Sequence, residues 1–348
     1  MIGTMCSVLA GAALLAADAF AQSDCETMER EAIDFISHMP RDLQDSQERA
    51  VRLAMRGDMS ALEAVRKSRN GLTALPEGVS ATDIEGKYRL YVPARSGSLL
   101  PVLVYLHGGG WCFGSINSCV RFCSELVSEG GIAVLAVEYP LAPENPYPAP
   151  LDCCVKAVCF AFEHASEYGL DPKGISIGGD SAGGNLAMAT ALRLVHEKGM
   201  DDDVLSDGRF PDIRSLVLFY PVVKVWNDGS DSWIRYGKGF GLDGSIMEAF
   251  NEAYVGTDDP ALPFISPYCA PKEDLAQLPS VLIVNADHDI LRDQGGEMYA
   301  RLREAGVAAD REVLPGTTHL FITVPGQPTA FRRAVMLAAC FLADGSRE

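Results

Sequence analysis

One serine of the 348-residue chain has neighbours that suit it to nucleophilic chemistry. In "GISIGGDSAGGNLAMATAL", from Gly174 to Leu192, Ser181 stands between a short apolar run, Ile175-Ser176-Ile177, and a helix-like one, Asn185-Leu186-Ala187-Met188-Ala189. Gly179-Asp180-Ser181-Ala182-Gly183 is therefore a G-x-S-x-G pattern at a strand-to-helix seam. Glycines two positions either side let strand and helix approach closely. The sharp turn lifts the hydroxyl clear of the strand and sets the next backbone N–H at a helix N-terminus, where negative charge is favoured. In an ordinary glycine-rich turn the same serine would only cap the helix.

A serine hydroxyl needs a base, and the base needs an orienting carboxylate. Of the six histidines, His38, His164 and His196 fall on helices expected at the surface, and His107 opens a glycine run. His288 follows Asp287 at a strand end, and His319 lies in "LPGTTHLFIT" after the last strand-like run, "REVL". The acid candidates are Asp287 and Asp289 in "NADHDILRDQG", with Asp293 slightly further on. Asp287 and Asp289 are two apart and share a face of an extended backbone, so periodicity does not separate them. In "VLVYLHGGGWCFGS" a strand ends at His107 and Gly108, Gly109 and Gly110 follow. Consecutive glycines let backbone N–H groups converge on an anion. No G-x-G-x-x-G opens a strand–helix–strand unit there, which disfavours a dinucleotide loop.

These residues need a scaffold that brings them to one edge. "KYRLYV", "PVLVYLH", "IAVLAVEY", "GISIGGD", "SLVLFYP" and "SVLIVNA" are short runs bounded by Gly, Pro, Asp or Ser. Several are apolar throughout, as strands covered on both faces are. Helix-length segments at Ser118–Glu129, Asp152–Tyr168, Ala182–Lys198 and Asp293–Ala305 alternate with them. The class is α/β, a mostly parallel sheet flanked by helices. Residues 22–84 read as a helical cap without strands and 85–348 as the catalytic domain, with 228–263 contributing to the cap over the sheet's carboxyl edge.

Composition narrows the partners. Twenty-nine Lys+Arg against 47 Asp+Glu give a net charge of −18, which repels polyphosphate and argues against nucleic acid. The opening stretch is apolar and ends in Ala19-Phe20-Ala21, so residues 1–21 read as an export signal. The absence of Lys or Arg before Arg30 fits instead a buried helix of a cytoplasmic protein. Export to the periplasm or medium is the expectation, with the cytoplasm as the alternative, and no segment predicts stable membrane insertion. The 10 cysteines include no Cys-x-x-Cys pair near histidines, so neither metal nor cofactor is expected. They read as free thiols, and a bridge from Cys119 or Cys123 to the Cys153 region is expected only on export.

From about Tyr88 onward the chain resembles the hormone-sensitive-lipase-like esterases, the bacterial type IV lipolytic enzymes of the α/β-hydrolase fold. "HGGGW" and "GDSAGGN" match that family's pattern residue for residue. "EYPLAPENPYPAPL" is similar with Pro140 and Asn145 where Arg and His are usual, "ADHDILRDQG" with Ile290 for proline, and "GTTHLF" with Leu320 for glycine. The resemblance implies that Ser181 is the nucleophile, His319 the base, Asp289 its orienting partner, and Gly109, Gly110 and Ala182 the oxyanion donors. Beside them, Trp111 and Leu320 are expected as pocket walls, with core packing as the alternative. The activity implied is metal-free hydrolysis of small carboxylic esters through an acyl-enzyme. Short acyl chains are expected, because the cap is charged and shows no long apolar lid. Amide or lactone cleavage by the same triad, a non-catalytic ligand-binding protein on this fold, and assembly as a homodimer all stay open.

Overall fold

The computed structural model describes residues 23–71, 73–94, 98–199 and 210–344, so residues 1–21, on which the export reading rests, lie outside the described residues. Three helices come first: α1 (23–38), α2 (Leu43–Ala54) and α3 (Ser60–Arg69). Strands β1 (Val79–Ile84), β2 (Tyr88–Pro93) and β3 (Leu100–Leu106) lead to α4 (Val120–Gly130), β4 (Ala133–Val137), α5 (Ala149–Glu163) and α6 (Ala165–Tyr168). Next come β5 (Leu170–Asp180), α7 (Ala182–Gly199), β6 (Ile213–Phe219), α8 (Asp231–Tyr236), α9 (Gly244–Val255) and α10 (Lys272–Leu275). The chain closes with β7 (Ser280–His288), α11 (Arg292–Glu304), β8 (Ala309–Thr318) and α12 (Pro328–Asp344).

The eight strands form one sheet in the order β1-β2-β4-β3-β5-β6-β7-β8. The first two strands pair antiparallel with each other, as β2 does with β4, and all later pairs are parallel. Side-chain alternation divides the sheet between two cores. Val102, Val104 and Leu106 pack with Leu186 and Met188 of α7 on one face. Leu103 and Tyr105 pack with Phe122 of α4 and Ala334 and Val335 of α12 on the other. Two covered faces explain why β3 and β4 are apolar almost throughout.

The sheet begins at Val79, earlier than the expected boundary at 85. The missed strand, β1, is a polar edge strand exposed along most of its length, so it carries no apolar signal. The segments expected to form the cap, α1–α3 and 228–263, meet directly through α2. Gln44 of α2 donates to the Gly241 carbonyl at 3.0 Å and accepts from the Asp243 N–H at 3.3 Å, and Arg52 reaches Glu252 at 2.8 Å. Helix α1 is tied to the catalytic body through Glu31, whose carboxylate accepts from the N–H and hydroxyl of Thr329 at 2.9 and 2.8 Å. A carboxylate is favoured there because the first N–H groups of α12 have no partner within the helix. Every cysteine among the described residues is a free thiol, so no bridge joins Cys119 or Cys123 to Cys153. Among the described residues, no helix is long and apolar enough to cross a membrane.

Candidate active site

Ser181 sits between the last residue of β5 and the first of α7 with φ 54°, a left-handed conformation that a residue with a side chain rarely adopts. Such strain, worth about 1–3 kcal/mol, persists only where the surroundings enforce it. Here the Ser181 N–H donates to the Phe219 carbonyl at 2.9 Å, and its own carbonyl accepts from Asn185 at 3.0 Å and Val222 at 3.2 Å. The flanking glycines are sterically required, because a Cβ on Gly179 would fall 2.5 Å from the Gly183 backbone. The Asn185 amide then pins the start of α7, donating to the Val222 and Ile265 carbonyls at 3.0 and 2.9 Å.

His319 follows β8, and its Nε2 lies 3.1 Å from the Ser181 hydroxyl. Its Nδ1 donates to Asp289 Oδ2 at 2.6 Å, and the other Asp289 oxygen accepts from the Leu291 N–H at 3.0 Å. All three side chains are buried. The bend after β7 separates the aspartates that spacing left together. Asp289 turns inward to His319, whereas Asp287 accepts from the Gly316 N–H at 3.1 Å and faces Arg292 at 3.4 Å. Asp293 is occupied by the Ser232 N–H and by Arg292. His288 packs on Tyr236, with ring centroids 5.1 Å apart, and has no contact with Ser181.

The glycine run crosses the carboxyl end of β3 beside this group. Gly109 and Gly110 have φ of 125° and 59°, which frees their N–H groups from the strand ladder. Among the described residues, the N–H groups of Gly109, Gly110 and Ala182 donate to no protein acceptor. Unpaired backbone donors near a serine paired to a histidine are the kind of group that can bind a developing oxyanion. Leu320, with φ 75°, lines the recess at Ser181. Trp111 does not: it is fully buried, stacked on Tyr254 at 4.3 Å, and lines neither that recess nor the cleft beside it. Its large apolar ring gains more from burial beneath α9 than from exposure to a ligand.

Two supporting residues escaped the sequence reading. Asp180, the variable position before the serine, is buried and accepts from the Tyr105 hydroxyl at 2.8 Å and the Gly108 N–H at 2.9 Å. It thus joins the serine turn to the glycine run. Burial raises its carboxyl to about 6, with those two donors opposing the rise. Gln327 brackets the histidine loop: its oxygen accepts from the Thr318 N–H at 3.0 Å, and its nitrogen donates to the Thr318 and His319 carbonyls, each at 3.3 Å. Asp180 binds groups 72 and 75 residues away along the chain and Gln327 binds backbone eight and nine residues back, so neither residue type nor local spacing marks them.

A family model described as the α/β-hydrolase fold matches residues 103–323. The chain belongs to the hormone-sensitive-lipase-like α/β-hydrolases. Carboxylic ester hydrolase LipN of Mycobacterium tuberculosis is 37% identical over 242 residues, covering 67% of this chain and 61% of that relative. An arylesterase of Saccharolobus solfataricus is 32% identical over 270 residues, 76% of this chain and 81% of the relative. Carboxyl esterase 2 of the fungus Tuber melanosporum superposes with a TM-score of 0.71 at 29% identity, covering 79% of this chain and 89% of that one.

Proposed function

We propose that this member of the family is a serine carboxylesterase acting on short-chain acyl esters through a covalent acyl-enzyme. The observation that carries the reading is the continuous relay from Asp289 through His319 to Ser181, at 2.6 and 3.1 Å, beside three unpaired N–H donors. Ser181 Oγ attacks the ester carbonyl while its proton passes to His319 Nε2. The N–H groups of Gly109, Gly110 and Ala182 bind the oxyanion, Asp289 stabilises the imidazolium, and the proton moves on to the departing alcohol. Water then enters, gives a proton to His319 and attacks the acyl-enzyme, and collapse releases the acid and restores the serine.

Short acyl chains are supported by the size of the recess at Ser181, about 30 Å³, with Phe113, Ile246 and Phe250 among its walls. It adjoins a larger cleft of about 760 Å³ under the cap, with room for the alcohol part of an ester. Hydrolysis of p-nitrophenyl esters from acetate to palmitate tests this. The rate should peak between acetate and hexanoate, and a maximum at palmitate would contradict the size argument.

A further inference from the structure

Two arginines one turn apart on α3 meet different fates. Arg66 is spent on structure: it donates to the Cys112 and Ala142 carbonyls at 2.8 and 2.9 Å and pairs with Glu144. Arg69 has no such partner. Arg69 lines both the recess at Ser181 and the large cleft. Its guanidinium lies 4.9 Å from the Phe113 ring centroid and donates once, to Gln47 Oε1 at 3.1 Å. Among the described residues no carboxylate pairs with it, in a chain whose acids outnumber its bases 47 to 29. Burial disfavours its charge, and no nearby acid offsets that.

Gln47 supplies a second, independent observation. It is 5% exposed and lines both spaces. Its oxygen is taken by Arg69, and its Nε2 donor has no protein acceptor among the described residues. Gln44, beside it, is consumed by Gly241 and Asp243. Among the described residues the one acid lining the cleft, Asp34, is exposed and lies 3.4 Å from His38. The inner cleft thus offers one uncompensated guanidinium and one fixed amide donor. That set matches a single planar carboxylate, whereas a phosphate dianion would call for further cations.

The geometry points to an ester whose alcohol part carries a carboxylate, held by Arg69 and Gln47 in the cleft while a short acyl group enters the recess at Ser181. This rests on the esterase reading and names the substrate class within it. The test compares 3- and 4-acetoxybenzoate with their neutral methyl esters, which share the acetyl group. It uses the wild-type protein, Arg69→Gln and Arg69→Lys, with melting temperatures confirming that each variant folds. The ratio of kcat/KM, anionic over neutral, should fall about 10-fold or more in Arg69→Gln, chiefly through KM for the anion. Arg69→Lys should fall between. A packing role would lower both rates together, so an unchanged ratio in Arg69→Gln overturns the proposal. If the wild type cleaves the neutral acetates without favouring the anions over Arg69→Gln, only the carboxylate site fails. Hydrolysis of none of the four esters would overturn the esterase reading itself, and the proposal with it.

Discussion

The floor of the site and its helical roof satisfy their polar groups in different ways. At the floor, where β5, β7 and β8 end, Asp289, His319, Asp180 and Gln327 are buried and hydrogen-bonded. Beside them, among the described residues, the N–H groups of Gly109, Gly110 and Ala182 stay unpaired, as do His107 Nε2 and Asn185 Oδ1. In the roof, α3 reaches the body through Arg66 to Glu144, α2 meets the 228–263 segment through Gln44 to Gly241, and Arg69 and Gln47 line the cleft. The hydrogen bonds of the floor hold the reacting atoms in place, while donors left open in the roof suit ligand recognition. On the proposed reading, chemistry and selectivity fall to separate parts of the chain.

Variants on either side can break that division. The largest effect is expected from Ser181→Ala, which should lower kcat on a short-chain ester by about 10⁴-fold or more while leaving the melting temperature nearly unchanged. Asp289→Asn should cost on the order of 10³- to 10⁴-fold in kcat, because an amide favours the wrong imidazole tautomer and cannot stabilise the imidazolium. Asp287→Asn, altering only the contacts to Gly316 and Arg292, should cost far less. If Asp287→Asn proves the more damaging, the relay described here is misassigned.

Asp180 tests the floor through stability. Its carboxyl titrates near about 6 in the folded protein against an ordinary 3.8, so the folded state holds its proton more tightly. Folding is therefore weakened as pH rises from about 4 to about 6, by roughly 2–4 kcal/mol once the group is ionised. Asp180→Asn lacks this titration. Denaturant melts of the two proteins should diverge in the variant's favour across that window and run parallel above about pH 7, and parallel curves throughout would refute the raised value. The smallest effect belongs to the roof: Arg66→Ala should destabilise by about 1–3 kcal/mol, discounted for partial exposure of the Glu144 pair, and raise KM more than it lowers kcat. Equal losses in both would mean that α3 also shapes the floor.

The same division explains what could be read from sequence. Ser181 and the glycine run sit in local patterns, a serine between glycines or three glycines after a strand, whose geometry is dictated within a few residues, whereas Asp180 and Gln327 of the same floor carry no such mark. The acid was ambiguous because the turn at 289–291, not the strand period, decides which aspartate faces inward. Trp111 was expected at the pocket from its adjacency to the glycine run, but it folds under Tyr254. Arg69 and Gln47 were invisible, since a helical arginine is marked as unpaired only by the absence of partners from distant elements. Polar strand β1 went unseen for a similar reason, as edge position removes the apolar signal.

The central claim, that His319 activates Ser181 beside a vacant oxyanion pocket, is tested most directly by a fluorophosphonate probe followed by peptide mass analysis. The folded protein should gain one adduct, located on Ser181, with labelling absent in Ser181→Ala and strongly slowed in His319→Ala. Folded protein that stays unlabelled, or an adduct at another residue, would contradict it.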